Sequence, residues 1–409
     1  MILFKLGSIL FRSGVKAVTP FNAKAKLAIK GRKNCFQKLT SFRAHHPTEK
    51  VVWFHCASYG EFEQGRPLIE AYKIKNPAQK IVLTFFSPSG YEANKNYTEA
   101  DLILYLPFDG KRNAKKFIEI LRPSKAFFIK YEFWPFYLDQ LQKHNIETYL
   151  VSGILRKNHI IFKAPFGTKL LKAFTQFFMQ DEASCSHLKN AGFTNYIVSG
   201  DSRLDRVLQN AKSDFKNQTL ESFCKENKVI IAGSTWEKDQ ELLIDFIQKN
   251  KDWKLVLVPH ELAIEKLSKL RNQLSRVKYC FYSEIQEEDI SVNQIIVLNT
   301  MGMLSKVYRF GTICYVGGGF GKGIHNVLEP ISYIKPVIIG PNYKKFKEAI
   351  DLIQIGAVKS IINSFELNKS IENFRDKEVL ISVENSINTY IENNKGSVKK
   401  ILDFININA

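Results

Sequence analysis

VVWFHCASYGEFEQGRPLIEAYKIKNPAQKIVLTFF, residues 51–86, reads as one strand–helix–strand unit. The run at 51–55 is apolar and strand-sized, and Ser58, Tyr59 and Gly60 form a turn. Glu61 opens a helix whose buried side is supplied by Leu68, Ile69 and Tyr72. A second apolar run follows at 80–85. Two strands joined through a helix are the repeating unit of a parallel sheet.

The same rhythm continues on either side. Strand-like runs fall at 51–55, 80–85, 102–106, 126–129, 148–151 and 197–198, then restart at 229–232, 255–259, 278–281, 295–298, 313–316 and 336–339. Helix-length segments separate them, so the sequence predicts an α/β protein with two Rossmann-like domains. Residues 211–228 are polar and lysine-rich with no strand signal, and they read as the linker. The predicted division is a basic N-terminal segment at 1–48, a first domain at 49–210 and a second at 229–409, ending in two closing helices of which one crosses back to the first domain. Ligands of open parallel sheets bind at the carboxyl ends of the strands. Two such sheets facing each other would place the crevice between the domains.

Composition excludes several classes. The chain of 409 residues is 45% hydrophobic and 24% charged, ordinary for a folded soluble chain, and no uncharged run reaches the ~18 residues of a membrane span. The six cysteines are scattered without a C-x-x-C pair, which argues against a disulfide framework or structural zinc and for a reducing compartment. No signal-peptide cleavage pattern follows the N-terminus. The net charge is +19, and residues 1–50 hold eleven basic residues against Glu49 alone, or +10. Within MILFKLGSILFRSGVKAVTPF, residues 1–21, Ile2, Leu3, Leu6, Ile9, Leu10 and Val15 recur at roughly helical spacing while Lys5, Arg12 and Lys16 interrupt them. Such a basic amphipathic helix suits an anionic membrane surface, where each nearby cation contributes about 1 kcal/mol; packing on its own domain and a basic nucleic-acid arm are the alternatives. The remaining chain carries +9 and no RNA- or DNA-binding motif, so nucleic acid is not an expected partner.

The loops after the strands supply the candidate chemistry. Glu61, beside Gly60, can accept a proton from an incoming hydroxyl, though a helix-opening glutamate is also simply favourable against the dipole. Glu132 lies past the run 126–129, next to Trp134. Arg203 follows the turn at Gly200 and reads as a cation for a phosphate or carboxylate, or as a solvated arginine. Ser234 and Thr235 precede a helix and fit either an anion site or caps. His260 and Glu261 have no metal-ligand spacing, and no metal is expected. Glycines 317, 318, 319, 321 and 323 lie between a strand and a helix starting near Asn326, where a backbone could wrap a phosphate or ribose. The Walker and dinucleotide spacings both fail there. Glu329, three residues beyond Asn326, is placed to hold ribose hydroxyls.

In this order HCASYGE, YEFWP, SGDSRLD, GSTWE, VPHE, TMGM and GGGFGKGIHNVLEP resemble the 3-deoxy-D-manno-octulosonic acid (Kdo) transferases. The resemblance implies a GT-B glycosyltransferase that moves Kdo from CMP-Kdo to the lipid A precursor with inversion, without a cofactor, at the cytoplasmic face of the inner membrane. It implies Glu61 as the base and Glu132 and Arg203 as groups that stabilise the transition state. The donor-binding positions would be Ser234, Thr235, Pro259, His260, Met301, Gly302, Met303, Gly318, Gly319, His325, Asn326, Val327, Leu328 and Glu329. His260 stands where relatives usually carry Arg, and Met303 where Glu is frequent. Competing readings are a GT-B enzyme with a UDP-sugar donor and a non-catalytic, membrane-peripheral nucleotide-binding protein.

Overall fold

The computed structural model describes Gly7 and residues 13–163, 167–286 and 289–407. Most of the expected amphipathic N-terminal helix, with Ile2, Leu3, Lys5, Leu6, Ile9, Leu10 and Arg12, lies outside the described residues. Residues 13–18 are helical. No helix among the described residues is long and apolar enough to cross a membrane.

The chain divides into two compact units. The first holds residues 1–205 and 395–409, and the second residues 206–394. In the first, strands β1 (Val51–Cys56), β2 (Lys80–Phe85), β3 (Leu102–Tyr105), β4 (Lys125–Ile129), β5 (Glu147–Gly153), β6 (Gln176–Met179) and β7 (Tyr196–Val198) form one parallel sheet in the order β3-β2-β1-β4-β5-β6-β7. In the second, β8 (Lys228–Thr235), β9 (Trp253–Pro259), β10 (Tyr279–Phe281), β11 (Ile295–Val297), β12 (Ile313–Val316), β13 (Val337–Ile339) and β14 (Val358–Ser360) form another parallel sheet, ordered β10-β11-β9-β8-β12-β13-β14. Two Rossmann-like units with parallel sheets are therefore present, as the sequence predicts.

The order of strands reverses between β1 and β4 in one sheet and between β8 and β12 in the other. These are the switch points at which the connections diverge and a crevice opens. Alternation along the central strands buries both faces of the first sheet: Trp53, Ala126, Phe128 and Leu150 enter one core, and Val52, Phe54, Phe127, Ile129 and Val151 the other. Helix Tyr59–Lys75 packs on the second face through Phe62, Leu68, Ile69 and Tyr72. Each such buried side chain contributes roughly 1.5–3 kcal/mol, which fixes the helix start that carries Glu61.

Two strands escaped the sequence reading: β6 and the three-residue edge strand β14. The expected linker also differs. Helix Ser202–Ala211 runs across the unit boundary, and helix Gln218–Cys224, capped by Asn217 through a bond from Leu220 N to Oδ1 of 3.0 Å, belongs to the second unit. At the chain end there are three helices, Ser364–Arg375, Lys377–Asn394 and Ser397–Ile407. The second unit ends at Asn394 rather than at 409, because Ile401, Leu402 and Ile405 of the last helix complete the first unit's core. Asp205 anchors its start, accepting from Gly396 N at 2.6 Å and Val398 N at 2.7 Å.

Candidate active site

In the first unit the loops after β1 and β4 flank the switch point, and they carry Glu61 and Glu132. Ser58 donates to Glu61 Oε2, holding the carboxylate over the first turn of its helix. Glu132 Oε2 accepts from Trp134 Nε1 at 2.8 Å and lies 3.6 Å from His55 Nε2. Directly after β4 the backbone is left-handed at Lys130 (φ 69°), and Ser152 near the end of β5 has φ 53°. Left-handed non-glycine residues cost energy and concentrate at functional sites.

Tyr131 lies within electrostatic reach of these groups. Its phenol is pushed up by burial and by the charges of Glu61 and Glu132, and pulled down by Arg156 and Arg203. The buried Cys56 thiol is likewise raised, first by burial and then by the same two carboxylates. Glu61, Glu132 and Arg203 thus share one neighbourhood. Tyr131 is missed by the sequence reading although it sits inside YEFWP; its signal is an aromatic left 42% exposed beside a carboxylate.

Arg203 is neither free nor solvated. Its Nε and Nη2 clasp Asp201, with Nη2 at 2.5 Å from Oδ2. Burial alone would raise the Asp201 carboxyl, but the guanidinium overrides it and holds the group below its usual range. Ser202, between them, donates to the Gln64 carbonyl at 2.5 Å and lies 3.1 Å from Ser152 Oγ. The start of the Arg203 helix is therefore tied to the turn that follows Glu61.

In the second unit the loops after β8 and β12 meet at the other switch point. Ser234 is left-handed (φ 53°) within a bulge of β8. Asp239, fully buried, holds the loops together: Oδ2 accepts from Trp236 N at 2.8 Å and Gly318 N at 3.0 Å, and Oδ1 accepts from Tyr315 Oη at 2.7 Å. Nothing in the run EKDQE singles it out by sequence. Glycines here serve close approach: a Cβ on Gly317 would lie 2.3 Å from the Ser234 carbonyl oxygen, and one on Gly319 2.6 Å from Gly340 Cα.

Trp236, 40% exposed, stacks on His260 with centroids 4.7 Å apart, and His260 lies 4.3 Å from the His325 ring. Trp236 Nε1 donates to His325 Nε2 at 3.2 Å, so that nitrogen carries no proton. Burial, with His260 adding to it, pushes His325 down to about 4 from its ordinary value of 6.5. The unfolded chain thus binds a proton between pH 6.5 and 4 that the fold refuses, so this histidine makes stability fall as pH drops through that window. Urea unfolding should show a smaller loss from pH 7 to pH 5 in His325→Gln than in the wild-type chain; equal losses would contradict it.

Several expected donor-binding positions differ in kind from the sequence reading. The Thr235 side chain is buried and donates to Val258 O at 3.2 Å, so it offers no anion-binding hydroxyl. Gly318 N is used by Asp239, and the amides of Gly317 and Gly321 bond to Gly233 and Gly318. Val327 and Leu328 are buried, leaving their backbones alone to meet a ligand. The expected helix near Asn326 is the single turn Leu328–Ile331, stopped by left-handed Ile334 and by Pro336. Pro259 is buried beside exposed His260; Met301 is 89% exposed and Gly302 turns with φ 82°. Met303 Sδ accepts from Thr300 Oγ1 at 3.1 Å. Asn326 Nδ2 lies 3.5 Å from Glu329 Oε1, and Glu329 acts with burial to raise the Tyr308 phenol, whose oxygen packs on Gly233. Glu329, Tyr308 and the β8 loop therefore converge. Among the described residues no three His, Cys, Asp or Glu gather as a metal set.

Residues 32–206 match the profile of the 3-deoxy-D-manno-octulosonic-acid transferase (kdotransferase) family. Kdo transferases of Haemophilus influenzae and Chlamydia muridarum are each 25% identical, over 88% and 85% of this chain and 87% and 82% of their own. Residues 32–206 therefore carry a Kdo transferase domain, and most of the chain is similar to Kdo transferases. A bifunctional glycosyltransferase/methyltransferase of Fusobacterium nucleatum is 26% identical over 85% of this chain, which spans 56% of that protein's length. Among solved structures, the UDP-GlcNAc 2-epimerase of Neisseria meningitidis aligns with TM-score 0.60 at 18% identity over 87% of this chain and 99% of its own, a likeness of fold. The Kdo transferase profile covers the whole of β1 to β7, and with them Glu61, Glu132 and Arg203.

Proposed function

We propose that the protein is an inverting glycosyltransferase that moves Kdo from CMP-Kdo to the lipid A precursor. The observation that carries this reading is the grouping of Glu61, Glu132 and Arg203 around Tyr131 at the first sheet's switch point, inside the segment that matches the family. Glu61 takes the proton from the acceptor hydroxyl as its oxygen forms a bond to the anomeric carbon and the bond to CMP breaks. Glu132 stabilises positive charge developing on the sugar, and Arg203, oriented by Asp201, meets negative charge on the leaving phosphate.

CMP is held by the second unit. The exposed Trp236–His260 stack offers an aromatic surface, and Glu329 accepts from ribose hydroxyls. The remaining contacts come from the backbones around Gly302 and Asn326.

The acceptor is acylated, which gives the basic N-terminus a use at the cytoplasmic face of the inner membrane. Phe21 is 92% exposed, and helix Ala23–Arg32 leaves Leu27, Lys24, Lys26 and Lys30 exposed, a mixture that suits an anionic lipid surface.

Nucleotide competition tests the donor. CMP should inhibit transfer and bind the purified chain in calorimetry at concentrations where UDP does neither. Tighter binding of UDP would move the reading to a UDP-sugar donor.

A further inference from the structure

Behind Glu132 lies a chain of polar groups in an otherwise apolar core. Trp53, His55 and Thr84 are buried on one face of β1 and β2, and His55 pairs in register with Thr84. Thr84 Oγ1 lies 2.8 Å from Trp53 Nε1, 2.8 Å from His55 Nδ1 and 3.4 Å from the Phe54 carbonyl oxygen. An indole N–H can only donate, so Thr84 Oγ1 accepts from Trp53. The hydroxyl proton has two acceptors within reach, and the nearer is His55 Nδ1. If Nδ1 accepts, the imidazole is neutral and its single proton sits on Nε2. That nitrogen has no hydrogen-bond partner, is fully buried, and faces Glu132 Oε2 at 3.6 Å. Trp134 Nε1 donates to the same oxygen, and the His55 and Trp134 rings meet edge to face at 5.8 Å.

We propose that His55 is a positioning residue for the transfer reaction, its imidazole fixed by Thr84 as the Nε2–H tautomer and so holding the Glu132 carboxylate in one orientation. The inference rests on the role assigned to Glu132 under the proposed function. Two N–H groups converge on Oε2, which leaves Oε1 as the oxygen that can meet a substrate. The 3.6 Å separation is longer than a hydrogen bond, and such contacts commonly tighten when substrate arrives. A carboxylate that must balance transient charge on a sugar gains from being aimed beforehand, because a displacement of about 1 Å costs on the order of 10²-fold in rate.

Two measurements test it. The full-length protein in detergent, with its histidines labelled with ¹⁵N, reports each imidazole's tautomer in long-range ¹H–¹⁵N spectra, and His55→Gln identifies the His55 signals by their loss. A neutral ring protonated at Nε2 is expected at pH 7.5. A ring protonated at Nδ1, or at both nitrogens, would overturn the proposal whatever the activity. In kinetics, Thr84→Val should lower kcat by ~10-fold or more with KM for both substrates unchanged, while Thr84→Ser restores it by restoring the hydroxyl. Equal kcat for the Val and Ser variants would overturn it, as would a change confined to KM. Failure of the wild-type chain to transfer Kdo would instead remove the functional reading and leave the tautomer result standing.

Discussion

Glu61→Gln is expected to lower the rate of Kdo transfer by about 10²- to 10⁴-fold, the contribution of a well-placed general base. Glutamine keeps the size of the side chain and can still contact Ser58, but it cannot carry away the acceptor's proton. The helix start is held by Phe62, Leu68 and Ile69 in the core, so the fold should be unaffected. CMP affinity should also be unchanged, since the positions proposed to hold the nucleotide lie in the second unit. Initial rates alongside calorimetric CMP binding separate the two effects. A rate within a few-fold of wild type would remove Glu61 from the role of base.

Asp239→Ala should be the most damaging single change in the second unit. Three donors converge on this buried carboxylate, two of them backbone amides on different loops. Removing it leaves all three without their partner, and each buried unsatisfied group costs roughly 1–3 kcal/mol, so a loss of about 3 kcal/mol or more is expected. Hydrogen exchange localises it: the amides of Trp236 and Gly318 should lose protection while strands of the first sheet keep theirs. CMP binding should weaken with them, because the β8 and β12 loops would no longer be held together. Stability within about 0.5 kcal/mol of wild type would show that the carboxylate does not organise these loops.

Much of the fold is legible in the sequence because parallel strands buried on both faces are written as short apolar runs such as IVLTF and ICYV. QFFM of β6 follows AFT with little to mark its start, and VKS of β14 is a three-residue edge with a charge in its middle. The return of the last helix to the first unit has a different cause. Ile401, Leu402 and Ile405 advertise an apolar stripe, but a stripe does not name the core that receives it.

The site shows the same division. Glu61 and Glu132 are legible from position alone, because any residue just past a central parallel strand sits at the sheet's carboxyl edge. Partnerships are not. Asp201 is two residues from Arg203, and only the conformation after Gly200 (φ 88°) turns it into the group that clasps the guanidinium. The glycines after β12 show a second cause that the sequence does not separate from a phosphate cradle: Gly317 and Gly319 are small because backbone from β8 and from Gly340 presses on them.

Mass spectrometry of the lipid product tests the central claim most directly. Purified full-length protein, lipid A precursor and freshly generated CMP-Kdo are combined in detergent and in anionic liposomes, with Glu61→Gln in parallel. The expected result is a lipid heavier by one or more Kdo residues, formed by the wild-type chain and strongly reduced in the variant. A well-folded wild-type protein that leaves the lipid's mass unchanged in both settings would contradict Kdo transfer to this acceptor.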